Sequence, residues 1–326
     1  MTLSAPTVQH HRDGRGSLRS RTAAAISTVT LRPLAMVLPP ERTWGLWASR
    51  RIIAIVMNTF GPRVSGVFVE PVDTVAPDGR RVVGEWIRPE VTTHDGAIYF
   101  LHGSGYALCS PRTHRRLTAW LAKLTGLPVF CVDYRLAPRH TFPTAADDVH
   151  AGWDWLRTAA NLPADHIVVA GDSAGGHLAV DLLLRDDAPR PAAMALFSPL
   201  VDLTFGLARE RERVRMDPAI RASDAARLID LYCGQVDPDH PRLMHDIATA
   251  TDLPPTLIQA GGAEMLAADA EHLAAAIGEG CELQIWPDQV HVFQALPRLA
   301  PEAAPAMRYA ASFITTAIDG HRRGRQ

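Results

Sequence analysis

Polar and apolar positions along this chain change period several times, and each change marks an element. Residues 22 to 62 read as helical segments interrupted by LPPER at 38 to 42, with Trp44, Trp47, Ile52, Ile55 and Val56 recurring at mixed helical spacings. From Val67 the period shortens: VFVEPVD and RRVVGEWIRP flank APDG, a turn signal, and predict a hairpin. GAIYFLHG at 96 to 103 reads as a short buried strand. Helical stretches then alternate with apolar runs. Arg112 to Leu124 leads to PVFCVDY, Ala145 to Ala159 leads to HIVVAGDS, and a helix after Ser173 leads to AAMALFSPL. PTLIQAG at 255 to 261 is followed by ADAEHLAAAIGEG, and CELQIWPD precedes a final helix over 303 to 318.

Continuous apolar strands separated by helices predict an α/β protein whose central sheet is mostly parallel and covered by helices on both faces. Between Val201 and Asp252 the rhythm fails, and charged helical pieces replace it. The expected organisation is a mobile basic tail at 1–21, N-terminal cap helices at 22–62, and an α/β domain at 63–326 interrupted by a cap insertion at about 201–252. No internal repeat is evident.

Composition narrows the partners. At 326 residues and 47% apolar, the chain can bury a large core. A net charge of −2 provides no general drive toward nucleic acid, and aromatics at 6% are not interleaved with basic platforms. HRDGRGSLRSR at 11 to 21 is basic and poor in core formers, hence the tail. Cys109, Cys131, Cys233 and Cys281 are scattered without a CxxC pair, as small hydrophobes rather than a disulfide scaffold. The N-terminus lacks the order of a secretory signal, and RIIAIVMNTF at 51 to 60 is too short to span a bilayer. That run is either the apolar face of a cap helix or a weak membrane-surface contact. The expectation is a cytoplasmic protein of open oligomeric state, a homodimer being one arrangement.

The chemistry centres on VVAGDSAGGHLAV, which begins at Val168. A strand ending at Ala170, then GDSAGG, then an apolar helix would hold Ser173 at a sharp corner, with Gly171 and Gly175 relieving the crowding on either side. The competing reading is a glycine turn or phosphate loop, but GxxxxGK[ST] is not matched and no lysine follows. A serine hydroxyl needs a base. His291, on the loop after the strand ending near Trp286, is placed to supply one. An acid must orient that imidazole. Glu264 is the first carboxylate after PTLIQAG and is the preferred candidate, with Asp269 and Asp288 as alternatives. HGSGY at 102 to 106 begins as a strand ends. Its small residues let backbone N–H groups approach a tetrahedral oxyanion. Ser104 and Gly105 are the expected donors, joined by Ala174, with His102 and Gly103 supporting the loop.

Taken together, HGSGY (102–106), YRLAPRHTFPTAADD (134–148), GDSAGGHLA (171–179), GGAEMLAAD (261–269) and PDQVHVF (287–293) resemble the hormone-sensitive-lipase-like branch of the α/β-hydrolase superfamily, in that branch's order. The resemblance runs from about Val67 to the C-terminus. It implies an α/β-hydrolase fold with a helical cap, and hydrolysis of short- to medium-chain carboxylic esters by Ser173, His291 and an acid, without a cofactor. A lipase or lactone hydrolase with the same residues is an alternative. Three positions depart from the family pattern: Ser104 stands where a third His-Gly-Gly-Gly residue is expected, Arg139 where Glu follows Tyr-Arg-Leu-Ala-Pro, and Glu264-Met-Leu where Asp-Pro-Leu is usual. Ser104 and Arg139 motivate a further alternative, a ligand-binding protein that no longer turns over substrate.

Within YRLAPRH, Arg135 and Asp133 are expected to form a structural ion pair, while Pro138 and Pro143 stiffen the path to the helix carrying Asp147 and Asp148. His102, His114, His140 and His150 do not form HExxH, no cysteine cluster accompanies them, and no GxGxxG is present. Neither a metal nor a dinucleotide is therefore expected.

Overall fold

The structure is a computed structural model describing residues 7–10, 14–103, 105–185, 188–247, 250 and 252–323. Its hairpin, β2 (Val67–Val75) and β3 (Arg81–Pro89), closes where Gly79 enters positive φ at +87° and donates to the Ala76 carbonyl at 2.9 Å. The remaining strands are β1 (Thr7–His10), β4 (Ala97–Leu101), β5 (Val129–Val132), β6 (Ile167–Asp172), β7 (Ala193–Phe197), β8 (Thr256–Gly261) and β9 (Cys281–Trp286). They form one sheet in the order β1-β9-β8-β7-β6-β4-β5-β3-β2. Among the described residues, only the β2–β3 and β3–β5 pairings are antiparallel.

Side-chain alternation along the parallel strands builds two cores, one on each face. Tyr99 and Leu101 of β4, Val169 of β6 and Leu196 of β7 join the first core, packed by α5 (Thr144–Thr158), α6 (Ala174–Leu183) and α9 (Ala267–Ile277). Their neighbours Ile98, Phe100, Val168 and Phe197 join the second, under α4 (Pro111–Thr125) and α10 (Ala303–Arg323). Burial on both faces explains why these strands read as unbroken apolar runs. Helix α4 is bounded by a Ser110–Thr113 capping box and by Gly126 in the left-handed region at φ +65°.

Over the sheet's C-terminal edge lie α1 (Leu18–Val29), α2 (Leu31–Val37) and α3 (Thr43–Phe60), together with α7 (Gly206–Val214) and α8 (Ala222–Cys233) of the insertion. The two groups are joined to each other. Arg32 donates to the Asp217 carbonyl and faces Glu212, and Arg227 donates to both oxygens of Glu41 at 2.7 Å. Among the described residues, no helix is long and apolar enough to cross a membrane.

Two expectations need correction. The stretch read as a mobile tail at 1–21 is held wherever it is described; residues 1–6 and 11–13 lie outside the described set. Thr7–His10 pairs in parallel with β9, and α1 starts at Leu18 with Ser17 as its cap. Glu302 accepts from the Ser17 N–H at 2.6 Å and from the Ser20 hydroxyl at 2.5 Å, while Asp288 accepts from the Gly16 N–H at 2.9 Å. These partners are backbone groups and remote carboxylates, so hydrophobic patterning could not reveal them. The second correction concerns Arg135. Its guanidinium and its own N–H go to Asp148, at 2.7 to 3.2 Å, and not to Asp133. Asp148, on the first turns of α5, meets both the backbone N–H and the guanidinium fork of Arg135, a pairing that depends on where α5 comes to rest.

Candidate active site

Ser173 joins β6 to α6 with φ 52° and ψ −122°, a region that residues other than glycine seldom enter. Its backbone is fully engaged. The N–H donates to the Phe197 carbonyl at 3.0 Å, and its carbonyl accepts from Gly176 at 2.9 Å and Leu200 at 3.0 Å. The flanking glycines are sterically required. A Cβ at Gly175 would collide with the Leu101 carbonyl, and one at Gly171 would lie 2.8 Å from the Gly175 oxygen. Ala174 opens α6, so its N–H is among the first-turn donors without an intrahelical acceptor, in the favourable field of the helix N-terminus.

His291 and Glu264 meet directly, Nδ1 to Oε2 at 2.5 Å. The other Glu264 oxygen accepts from the Ser198 hydroxyl at 2.7 Å and the Gly261 N–H at 2.5 Å, so the buried carboxylate is fully occupied. Ser198 also accepts from the Val292 N–H at 3.0 Å, tying the residue after His291 to the same point. Burial disfavours a charged His291, but the charge and hydrogen bond of Glu264, helped by Asp217 and Asp172, outweigh it. The imidazole pKa is therefore raised above its ordinary value.

Neither alternative acid hydrogen-bonds to His291. Asp269 lies in the first turn of α9 and accepts from the Val201 and Asp202 N–H groups at 2.9 Å; burial pushes its pKa up to about 7. Asp288, nearer to His291 in sequence, instead faces Arg215 at 2.6 Å and Gly16, and these contacts outweigh its partial burial and hold its pKa low.

The loop after β4 is built from below. The Gly103 N–H donates to Asp172 at 2.9 Å, and a Cβ at Gly103 would strike that carboxylate. Burial pushes Asp172 up, yet the His114 ring at 3.2 Å and the Gly103 N–H more than offset it and keep the group ionised. His102 stacks on Tyr134 with ring centroids 4.2 Å apart, and the Tyr134 hydroxyl donates to the His102 carbonyl at 2.7 Å. Burial, reinforced by His114, lowers the His102 pKa to about 3. The ring is neutral, and its Nδ1 donates to the Gly103 carbonyl at 3.0 Å. Gly105 has φ +53°, and a Cβ there would lie 2.6 Å from Leu228, so α8 rests on this loop. Ser104 lies outside the described residues.

Sequence reasoning missed four supports. Asp172 was visible as the residue before Ser173, and Ser198 as the residue that follows β7, but neither role has a local pattern. Arg211 of α7 donates to the carbonyls of Glu264 (2.9 Å) and Gly262 (3.1 Å), and Asp217 accepts from the Met265 N–H at 2.8 Å. In the sequence, Arg211 sits in ARERERV and looks like one charge on a solvated face. Among the described residues, no group of three or more His, Cys, Asp or Glu is arranged to hold a metal.

Comparison with known proteins agrees with this geometry. Residues 98–295 match the model of a family with the alpha/beta hydrolase fold. The chain belongs to that family. Within it, a crystal structure of an esterase from the bacterial hormone-sensitive lipase family superposes with a TM-score of 0.80 at 30% identity, covering 93% of this chain and 99% of the other. In sequence, this α/β-hydrolase is 34% identical to the carboxylesterase/phospholipase LipF of Mycobacterium tuberculosis over 92% of this chain and 82% of that one. It is 36% identical to an acetyl-hydrolase of Streptomyces hygroscopicus over 72% and 79%. This chain is a member of the hormone-sensitive-lipase-like branch.

Proposed function

We propose that this carboxylesterase cleaves short- to medium-chain acyl esters by acylating Ser173. His291 Nε2 takes the hydroxyl proton as Ser173 Oγ attacks the ester carbonyl. The oxyanion of the tetrahedral intermediate is received by N–H groups of Ala174 and of the loop at Ser104 and Gly105. Collapse expels the alkoxide, which leaves with the proton from His291. A water molecule, deprotonated by the same ring, then attacks the acyl-enzyme, releases the carboxylic acid and restores Ser173. Glu264 holds Nδ1–H toward itself and stabilises the imidazolium. The observation that carries this reading is a strained serine on the same sheet edge as a histidine whose other nitrogen is held by a buried, fully hydrogen-bonded glutamate.

A short acyl group suits a roof made by Leu228 and Ile229 close over Gly105, and the similarity to an acetyl-hydrolase supports it. Lipid esters are a second reading, favoured by the likeness to a carboxylesterase/phospholipase. The four cysteines are free, which suits a reducing compartment, and we place the enzyme in the cytoplasm. A fluorophosphonate should label the native protein at Ser173 alone, and Ser173→Ala should lower kcat by on the order of 10⁶-fold while the fold persists. Full turnover by that variant would refute the mechanism. In a series of p-nitrophenyl esters, a rate maximum at long, emulsified chains would replace the short-chain preference with the lipid reading.

A further inference from the structure

The outer face of α3 is at odds with an ordinary surface. Trp44, Trp47, Arg51 and Ile55 recur at helical spacing as one exposed stripe, the three apolar side chains at 60%, 61% and 63% exposure. The opposite side is anchored: Leu46 is buried, Val56, Met57 and Phe60 pack on the second core, and Arg50 donates to the Ala107 carbonyl at 2.8 Å. The stripe is therefore fixed in place and left uncovered. Arg51 lies 5.5 Å from the centre of the Trp47 ring, and Arg42 precedes the helix. Neither arginine is in a salt bridge among the described residues, since Glu41 is taken by Arg227.

Charge decides what would cover such a face. Residues 1–63 contain nine arginines, no lysine, and only Asp13 and Glu41 as acids, whereas the whole chain is at −2. The charge is thus polarised along the chain, basic over the first 63 residues, which include α3, and acidic over the rest. An anionic surface attracts the first part and repels the second, so it both binds and orients the protein. Tryptophan is the side chain best suited to the boundary of such a surface, with its ring among acyl chains and its N–H at headgroup level, and arginine beside it meets phosphate. We infer that the Trp44–Trp47–Ile55 face of α3 docks on the headgroup region of an anionic lipid bilayer. Docking presents the cap side of the molecule to the lipid, with Arg50 linking the docked helix to the loop that follows Gly105. This holds whether or not the ester cleaved is a lipid.

Sedimentation of the full chain with vesicles tests the inference. Vesicles of phosphatidylcholine mixed with phosphatidylglycerol should carry down the wild type, and pure phosphatidylcholine should carry down far less. Trp44→Ser/Trp47→Ser and Arg42→Glu/Arg51→Glu should each weaken binding by about tenfold or more. Both should keep wild-type hydrolysis of soluble p-nitrophenyl butyrate, and Ser173→Ala should keep wild-type vesicle binding, which separates docking from catalysis. Equal sedimentation of all variants, or none with either vesicle, would overturn the proposal. So would a wild-type dimer that the tryptophan variant dissolves, because a second copy would then be the cover.

Discussion

Helix α6 buries all ten of its residues, whereas α3 buries only Gly45 and Leu46 of its eighteen. Helix α6 begins directly after Ser173, and α3 reaches the loop after β4 through Arg50, which donates to the Ala107 carbonyl. Around α6 the strained Ser173 is pinned by three backbone hydrogen bonds, and the glycines beside it leave no slack. The N-terminal helices and the insertion are joined by both apolar and polar contacts. Ala208, Ala222, Ile229 and Tyr232 add to the first core, and Tyr232 stacks on Tyr106 at 4.1 Å. Arginines reach backbone carbonyls, Arg32 to Asp217, Arg50 to Ala107, and Arg211 to Glu264 and Gly262. Among the described residues two ion pairs join the N-terminal helices to the insertion, Arg32 with Glu212 and the half-exposed Arg227 with Glu41, and an exposed pair of this kind contributes about 0–1 kcal/mol. Strain can be stored where close packing over-determines the backbone, as it does around Ser173.

The sharpest test of the sheet side is Glu264→Gln. It should keep the fold and lose on the order of 10²- to 10⁴-fold in kcat, because the amide favours the wrong tautomer and cannot stabilise the imidazolium. Asp269→Asn and Asp288→Asn should stay within a few-fold, and near-wild-type activity of Glu264→Gln would break the comparison. The pH profile adds a sign. The base works neutral and its pKa is raised, so the acid limb of kcat/KM should lie above about 6.5 and move down in Glu264→Gln. Protonated His291 beside Glu264 stabilises the fold below the ordinary imidazole pKa, and that contribution is lost as pH rises through the raised one.

Asp269 behaves in the same direction for another reason. Its folded pKa of about 7 lies above the unfolded value, so the native state holds the extra proton. Its contribution to stability is present at low pH and is lost as pH rises toward 7. Urea titrations should find the stability gap between wild type and Asp269→Asn shrinking or reversing over that window. A gap independent of pH would mean that the backbone N–H groups of Val201 and Asp202 keep Asp269 ionised.

Ser198→Ala is a smaller perturbation of the same side. It removes one bond to Glu264 and leaves the Val292 N–H without its acceptor, at about 1–3 kcal/mol of stability and about tenfold in kcat. KM should hold, and the acid limb should shift, because the role is to position the acid and the histidine loop. Smallest is Arg50→Met on the cap side, expected to lower stability by about 1–2 kcal/mol and kcat/KM by a few-fold. A loss as large as that of Glu264→Gln would show the cap to be as tightly integrated as the sheet.

The alternation of apolar strands and helices, the Ser173 corner and the loop position of His291 were all legible in the chain. Each depends on a local rule: side-chain period, the room a sharp turn needs, or the length of a connection. The organisation at 22–62 and 201–252 was visible only as a break in rhythm. Its joining through Arg32 and Arg227 was not, because those partners lie far apart in sequence. The mobile tail and the Arg135–Asp133 pair failed for the same reason. A carboxylate carries no local sign of what it will face, and here Asp288, Glu302 and Asp148 met groups that only folding brings near.

The three carboxylates considered for the histidine make the division plain. Their presence near the ends of β8 and β9 was a matter of sequence. Which of them faces the ring was settled by tertiary packing: Asp269 turned to the backbone entering the cap, Asp288 to Gly16 and Arg215, and Glu264 to His291 with Ser198 and Gly261 behind it. Periodicity encodes the direction of a side chain relative to its own strand or helix. The partner it meets depends on where other elements come to rest, and a buried carboxylate is held by whichever donors arrive there.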